Sequence, residues 1–268
     1  MKEKEPIAAR YPYFGIVGPV GVGKSRLADL LTQSFGAECF REYFEDNPYL
    51  KNFYTDDPQN FAFDSQMYFL SMKVLQMRKL SGILAGGAAF HDPAIDEDML
   101  IESVQHKMGW ISNEQHAVYK RAKGRMMRGF IPRPDIYIAI KASKETVIRR
   151  ILERGREMEI VMHERFPRYF PKVVDEFEKW LKKMRAQGKV IVINSDKDDF
   201  ILDEGGRERV VEEVRHWSGY FIHREQQFGN RRVDGAQLIY PTFLIPRIKN
   251  SGDTPPGLSP EERVLRQR

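Results

Sequence analysis

Cysteine is almost missing from this chain: Cys39 stands alone among 268 residues, so no internal disulfide can form and a disulfide-stapled scaffold is excluded. Flanked by Glu38 and Phe40, its thiol reads as core material rather than as a reactive group, which fits a reducing, cytoplasmic setting. Long hydrophobic runs are missing too. No stretch approaches membrane-spanning length, and Met1-Lys2-Glu3-Lys4-Glu5-Pro6 has mixed charge without the apolar centre of an export signal, so no membrane association is expected. Charge of one sign does not dominate either. The 43 Lys and Arg face 38 Asp and Glu, a net charge of +5, which suits an anionic small ligand and permits nucleic-acid binding without implying it; no nucleic-acid partner is expected. Metal-ligand spacings are absent: His91-Asp92 with Asp96 and Asp98 comes nearest to a transition-metal site but lacks a ligand pattern. No internal repeat is found.

What is present begins with Gly18-Pro19-Val20-Gly21-Val22-Gly23-Lys24-Ser25. The apolar run Tyr13 to Val17 precedes it and the helix-like Arg26-Leu27-Ala28-Asp29-Leu30-Leu31 follows, the strand-loop-helix context of a phosphate cradle. Glycines let successive N–H groups close round a polyphosphate, and the helix N-terminus adds partial positive charge. Lys24 supplies a full cation and Ser25 a hydroxyl able to ligate Mg²⁺. The pattern predicts nucleotide binding and says nothing of what becomes of the phosphate.

Short strand-like runs alternate with helix-like ones, which predicts an α/β fold with a parallel sheet flanked by helices. The strands fall at Tyr13 to Val17, Glu38 to Arg41, Ala88 to His91, Ile136 to Ile140 and Val190 to Ile193. Pro58 to Leu84 reads as one long helix and Glu114 to Met127 as another. Ser143 is placed to cap a helix over Lys144 to Arg154. The spacing of Val173, Val174, Phe177, Trp180, Leu181 and Met184 marks a buried helical stripe, with Pro167 and Pro171 at or before its start. One domain is expected over residues 1–217. Residues 218–268 read as an irregular tail, with linker-like composition at 250–257 and an apolar patch at Leu238 to Ile245 expected to dock on the domain.

In open parallel sheets ligands gather beyond the carboxyl ends of the strands. There the sequence places the phosphate loop, then Glu42, then Asp92. Glu42 reads as a proton acceptor for an attacking hydroxyl and Asp92 as the magnesium-side acid; solvated strand-end acids are the plainer alternative. Arg150 and Arg154 share a helical face, and Gly155 ends that helix before Arg156. These guanidinium groups form either a lid over donor phosphates or an ordinary basic helix end.

With Glu42-Tyr43-Phe44-Glu45-Asp46-Asn47-Pro48-Tyr49-Leu50, Phe53-Tyr54, Gln66-Met67-Tyr68-Phe69-Leu70 and Arg154-Gly155-Arg156 added to the loop, the chain resembles the deoxyribonucleoside kinase family, particularly its bacterial deoxyadenosine and deoxyguanosine kinase branch. The resemblance spans about Tyr13 to Phe200. It implies a P-loop kinase fold with a five-stranded parallel sheet and an arginine-rich lid, a homodimer, and transfer of the ATP γ-phosphate to the 5′-hydroxyl of a deoxynucleoside, with Mg²⁺ at Ser25 and Asp92. The residues carried over are Gly18, Gly21, Val22, Gly23, Lys24 and Ser25 for the donor phosphates, and Glu42 as general base. Arg150, Arg154 and Arg156 match the lid arginines. Gln66 and Asp98 match base-reading groups, Tyr54 and Glu159 the partners of the sugar 3′-hydroxyl, and Phe166 an aromatic near the sugar. Asp196-Lys197-Asp198-Asp199-Phe200 resembles the loop beside the donor's adenine. Two positions depart from the pattern: Pro93 stands where an arginine is usual, and Lys73, counted with the substrate contacts, replaces an arginine on the long helix. Pro93 and the tail also admit a non-catalytic nucleotide-binding subunit of a larger assembly. A nucleoside monophosphate kinase is a further alternative, disfavoured because Glu42 would repel an acceptor phosphate.

Overall fold

The computed structural model describes residues 9–128, 133–188, 190–198, 200–228 and 237–238. Its elements alternate in the order β1 (Ala9–Arg10), β2 (Tyr13–Val17), α1 (Lys24–Phe35), β3 (Glu38–Arg41), α2 (Leu50–Thr55), α3 (Pro58–Met77), α4 (Leu80–Gly86), β4 (Ala89–Asp92), α5 (Ile95–Lys107), α6 (Asn113–Met126), β5 (Ile136–Lys141), α7 (Lys144–Arg154), α8 (Glu157–Arg165), α9 (Tyr169–Gln187), β6 (Val190–Asn194), α10 (Glu204–Phe228) and β7 (Gln237–Leu238). Strands β3-β4-β2-β5-β6 form one parallel sheet, and the two-residue strands β1 and β7 pair separately. β2 and β4 are buried at every position and β5 at all but Lys141, which is why they read as short apolar runs rather than alternating ones.

The order places β4 between β3 and β2, so the segments leaving these three strands emerge side by side. Main-chain bonds lock them together: the Glu42 N–H donates to the Asp92 carbonyl at 2.9 Å, and the Ala94 N–H to the Ile16 carbonyl at 2.8 Å. The loop after β2 and the acids after β3 and β4 therefore share one rim of the sheet.

Local signals explain most helix ends. The Ser143 hydroxyl accepts from the Thr146 N–H at 3.2 Å, and Gly155 closes α7 with φ 71°. Ser112 and Gln115 form a reciprocal capping box at α6. Three helical expectations are corrected. The run from Pro58 to Leu84 is two helices, because the Lys79 N–H bonds back three residues to Gln76 at 3.0 Å; that tighter turn separates α3 from α4 without interrupting the apolar pattern. Pro171 lies within the first turn of α9 rather than before it, where its missing N–H costs no helical bond. Periodicity fades near Trp217, yet α10 continues to Phe228. Of the apolar tail patch, Leu238 contributes only its main-chain pairing to β1; the rest of the patch, the linker at 250–257 and Asp199 lie outside the described residues. No helix among the described residues is long and apolar enough to cross a membrane.

Candidate active site

The loop after β2 is held open by left-handed glycines. Gly21 has φ 82° and Gly23, which caps α1, has φ 104°, conformations that side chains resist. A Cβ on Gly21 would also lie 2.8 Å from Ile151, and one on Gly18 would meet the Ile140 carbonyl and Val22 at the same distance. From this loop Lys24 donates to the Gly18 carbonyl at 2.8 Å and the Pro19 carbonyl at 3.0 Å. Its third partner, Glu97 at 3.0 Å, is a residue that sequence reasoning missed. An acid in the first turn of a helix ordinarily answers the helix dipole, and nothing in the spacing distinguished Glu97 from Asp96.

Lys24, Glu42, Asp92, Ser25, Gln66, Asp98, Tyr54, Glu159, Arg154 and Arg156 line one cavity of about 270 Å³. Residues from α1, the stretch after β3, α2, α3, β4, α5, α7 and α8 thus converge on a single space. Asp92 is buried beside the Ser25 hydroxyl, which hydrogen-bonds it; burial raises its pKa, against the pull of Lys24 and Ser25. Its Oδ1 has no hydrogen-bond partner. An unpaired buried carboxylate oxygen next to a loop hydroxyl is a hard-cation donor set, so these two residues fit Mg²⁺.

Opposite the loop, Lys73 lies 2.8 Å from Glu42 Oε2 and 2.6 Å from Asp98 Oδ1. Burial works against its charge, but the two carboxylates more than offset that and hold the ammonium above its ordinary pKa. With one lysine between two acids, burial and the Glu42 charge push Asp98 up to about 7. Lys73 does not line the cavity: it sits behind the acids, so its expected place among the substrate contacts is corrected to that of their counter-ion. Asn47 of the acid-Asn-Pro run bonds the Ser65 carbonyl and hydroxyl at 3.2 and 3.1 Å, which ties the segment after β3 to α3 at the residue next to Gln66.

Arg154 and Arg156 both pair with the buried Glu159, the latter at 3.4 Å, and the Arg156 guanidinium lies 4.0 Å above the Phe44 ring. Arg150 departs from the lid grouping. It donates to the Val22 carbonyl at 3.1 Å and the Ser195 hydroxyl at 2.7 Å, so it braces the phosphate loop against the end of β6. Phe166 also stands outside the cavity, edge-on to Trp110 at 5.1 Å. Asp196 accepts from the Ser143 N–H at 2.7 Å, Asp198 faces Arg209 at 3.6 Å, and Phe200 is buried against Gly23. This loop thus packs beside the phosphate cradle. His91 is sealed in the core with its ring bonded to the Tyr13 hydroxyl at 2.8 Å, and no cluster able to hold a metal through His, Cys, Asp and Glu occurs among the described residues.

A glycine-built anion cradle whose lysine shares one cavity with an acid and two arginines, at the rim of a five-stranded parallel sheet, is the arrangement of a P-loop kinase. Comparison with known proteins narrows the class. The deoxynucleoside kinase family model matches residues 14–218. Among curated relatives, a deoxyguanosine kinase of Bacillus subtilis is 30% identical over 208 residues, covering 76% of this chain and 96% of that protein; one from Lactobacillus acidophilus is 32% identical over 203 residues, covering 74% and 86%. The fold matches a deoxyadenosine kinase from M. mycoides solved with bound dCTP, with TM-score 0.63 and 23% identity over 74% of this chain and 96% of that one. The chain belongs to the deoxynucleoside kinase family, and its activity is that of an ATP-dependent deoxynucleoside kinase.

Proposed function

We propose that the chain transfers the γ-phosphate of ATP to the 5′-hydroxyl of a purine deoxynucleoside, with Glu42 accepting the hydroxyl proton. The observation that carries this reading is the shared cavity: Glu42, Lys24, Arg154 and Arg156 line the same space. Lys24 and the loop N–H groups hold the donor phosphates, and the two arginines balance charge that spreads over the transferred group. Ser25 and Asp92 hold Mg²⁺, which when bound offsets phosphate charge. Gln66 and Asp98 meet the base, while Tyr54 and Glu159 meet the sugar 3′-hydroxyl. Asp98 Oδ2 and Gln66 Oε1 are buried without partners, so a base carrying amino hydrogens satisfies them better than thymine does. The relatives named deoxyguanosine and deoxyadenosine kinase favour a purine within that group.

We further propose a homodimer joined through the groove between α5 and α9, where Met99 and Leu100 face Trp180 and Met184; light scattering reads its mass. A reducing cytoplasm suits the single thiol. The decisive assay is phosphoryl transfer from ATP to the four common deoxynucleosides and to their monophosphates. Transfer to deoxyadenosine or deoxyguanosine supports the reading. ATP binding without transfer to any of them turns it to the non-catalytic alternative that Pro93 raised.

A further inference from the structure

Glu97 enters α5 between the cavity and the phosphate loop, and both of its carboxylate oxygens are committed to that loop. Oε1 lies 3.0 Å from the Lys24 ammonium, and Oε2 accepts the Gly18 N–H at 3.1 Å. An ammonium and a main-chain N–H are the donors that a phosphate oxygen seeks in such a cradle. The Lys24 ammonium has three hydrogens, and the Gly18 carbonyl, the Pro19 carbonyl and Glu97 take all of them. The lysine is therefore saturated by the protein itself.

The surroundings sharpen the competition. Asp92 and Glu42 line the same cavity as Lys24 and Glu97, so further carboxylates share the space that a polyphosphate must enter. A polyphosphate arriving at Lys24 meets an ion pair rather than a bare cation, and binding exchanges one anion for another. Burial penalises the Glu97 carboxylate, and a donor that replaces it on Lys24 leaves it to find new partners or a cation.

We propose that Glu97 sets the affinity of the donor site: its carboxylate occupies the place of a phosphate oxygen on Lys24, and a donor polyphosphate must displace it. The proposal rests on the kinase reading for the identity of the donor, but its test needs no turnover. Inorganic tripolyphosphate without divalent cation is the probe, titrated calorimetrically into wild type, Glu97→Gln and Glu97→Ser. Removing the carboxylate is expected to tighten tripolyphosphate binding about tenfold in both variants, while Glu97→Asp, which keeps the charge on a shorter arm, stays nearer to wild type. Equal or weaker binding by folded Glu97→Gln and Glu97→Ser overturns the proposal and leaves Glu97 as a support that holds Lys24 in place. Should Glu97→Gln not fold, the serine variant, whose small side chain leaves only space, carries the same test. Deoxynucleoside phosphorylation by wild type is assayed separately, so loss of the kinase reading and loss of this one give different results.

Discussion

Lys73, closed off from solvent, places its ammonium 2.8 Å from the Glu42 carboxylate, so an acid that lines the cavity is held by a cation that does not line it. The same ammonium reaches Asp98 at 2.6 Å. Glu42 and Asp98 thus share one counter-ion.

Replacing Glu42 by Gln keeps the shape and removes the proton-accepting charge. Turnover is expected to fall by about 10² to 10⁴, while the deoxynucleoside KM stays within a few-fold of wild type. Steady-state kinetics at saturating ATP measure both, and full turnover in this variant would remove Glu42 from the mechanism.

Lys73→Met leaves the buried Asp98 and the half-buried Glu42 without their cation. The expected loss is about 3 kcal/mol, since breaking a buried pair strands the remaining charge. Adding Asp98→Asn should recover part of it. Urea unfolding of the two single variants and the double variant completes the cycle; strictly additive losses would mean that the pair is not coupled.

Arg156 is pinned both to Glu159 and to the face of Phe44. Arg156→Ala is expected to lower kcat about a hundredfold with little change in nucleoside KM, because charge neutralisation counts most at the transition state. Arg150→Ala should instead raise the ATP KM, since Arg150 braces the loop through Val22 and Ser195.

His91 is held neutral by burial and by the Lys73 charge, its pKa lowered from 6.5 to about 3. The unfolded chain takes up a proton below 6.5 that the folded chain refuses. The stability linked to this group is thus complete above pH 6.5 and is lost as pH falls towards 3, by up to about 1.4 kcal/mol per pH unit. Denaturation at pH 7, 6 and 5 should show His91→Gln losing less stability over that range than wild type; parallel slopes would exclude His91 as the source.

The central strands β2 and β5 were legible because each is short, apolar and bounded by polar or turn residues, and all five strands of the parallel sheet fall within a residue of their expected ends. Loop chemistry was legible for the same local reason: Gly21, Gly23 and Lys24 act within one turn of chain. What escaped was the contact between distant segments. Glu97 and Asp98 are adjacent, yet one turns to Lys24 on α1 and the other to Lys73 on α3, a division that no periodicity encodes. Arg150 and Arg154 share a helical face in the spacing but not a destination, because the loop at Val22 lies within reach of only the first. The contact of Phe166 with Trp110, fifty-odd positions away, was illegible for a similar reason.

The rungs joining Glu42 to Asp92 and Ala94 to Ile16 mean that the segments leaving β3, β4 and β2 are spaced by main-chain hydrogen bonds. Those bonds do not depend on the side chains of α3 and α5 that line the cavity. Substitutions at Gln66 or Asp98 can therefore remodel the cavity lining without cutting the rungs that align the three strand ends.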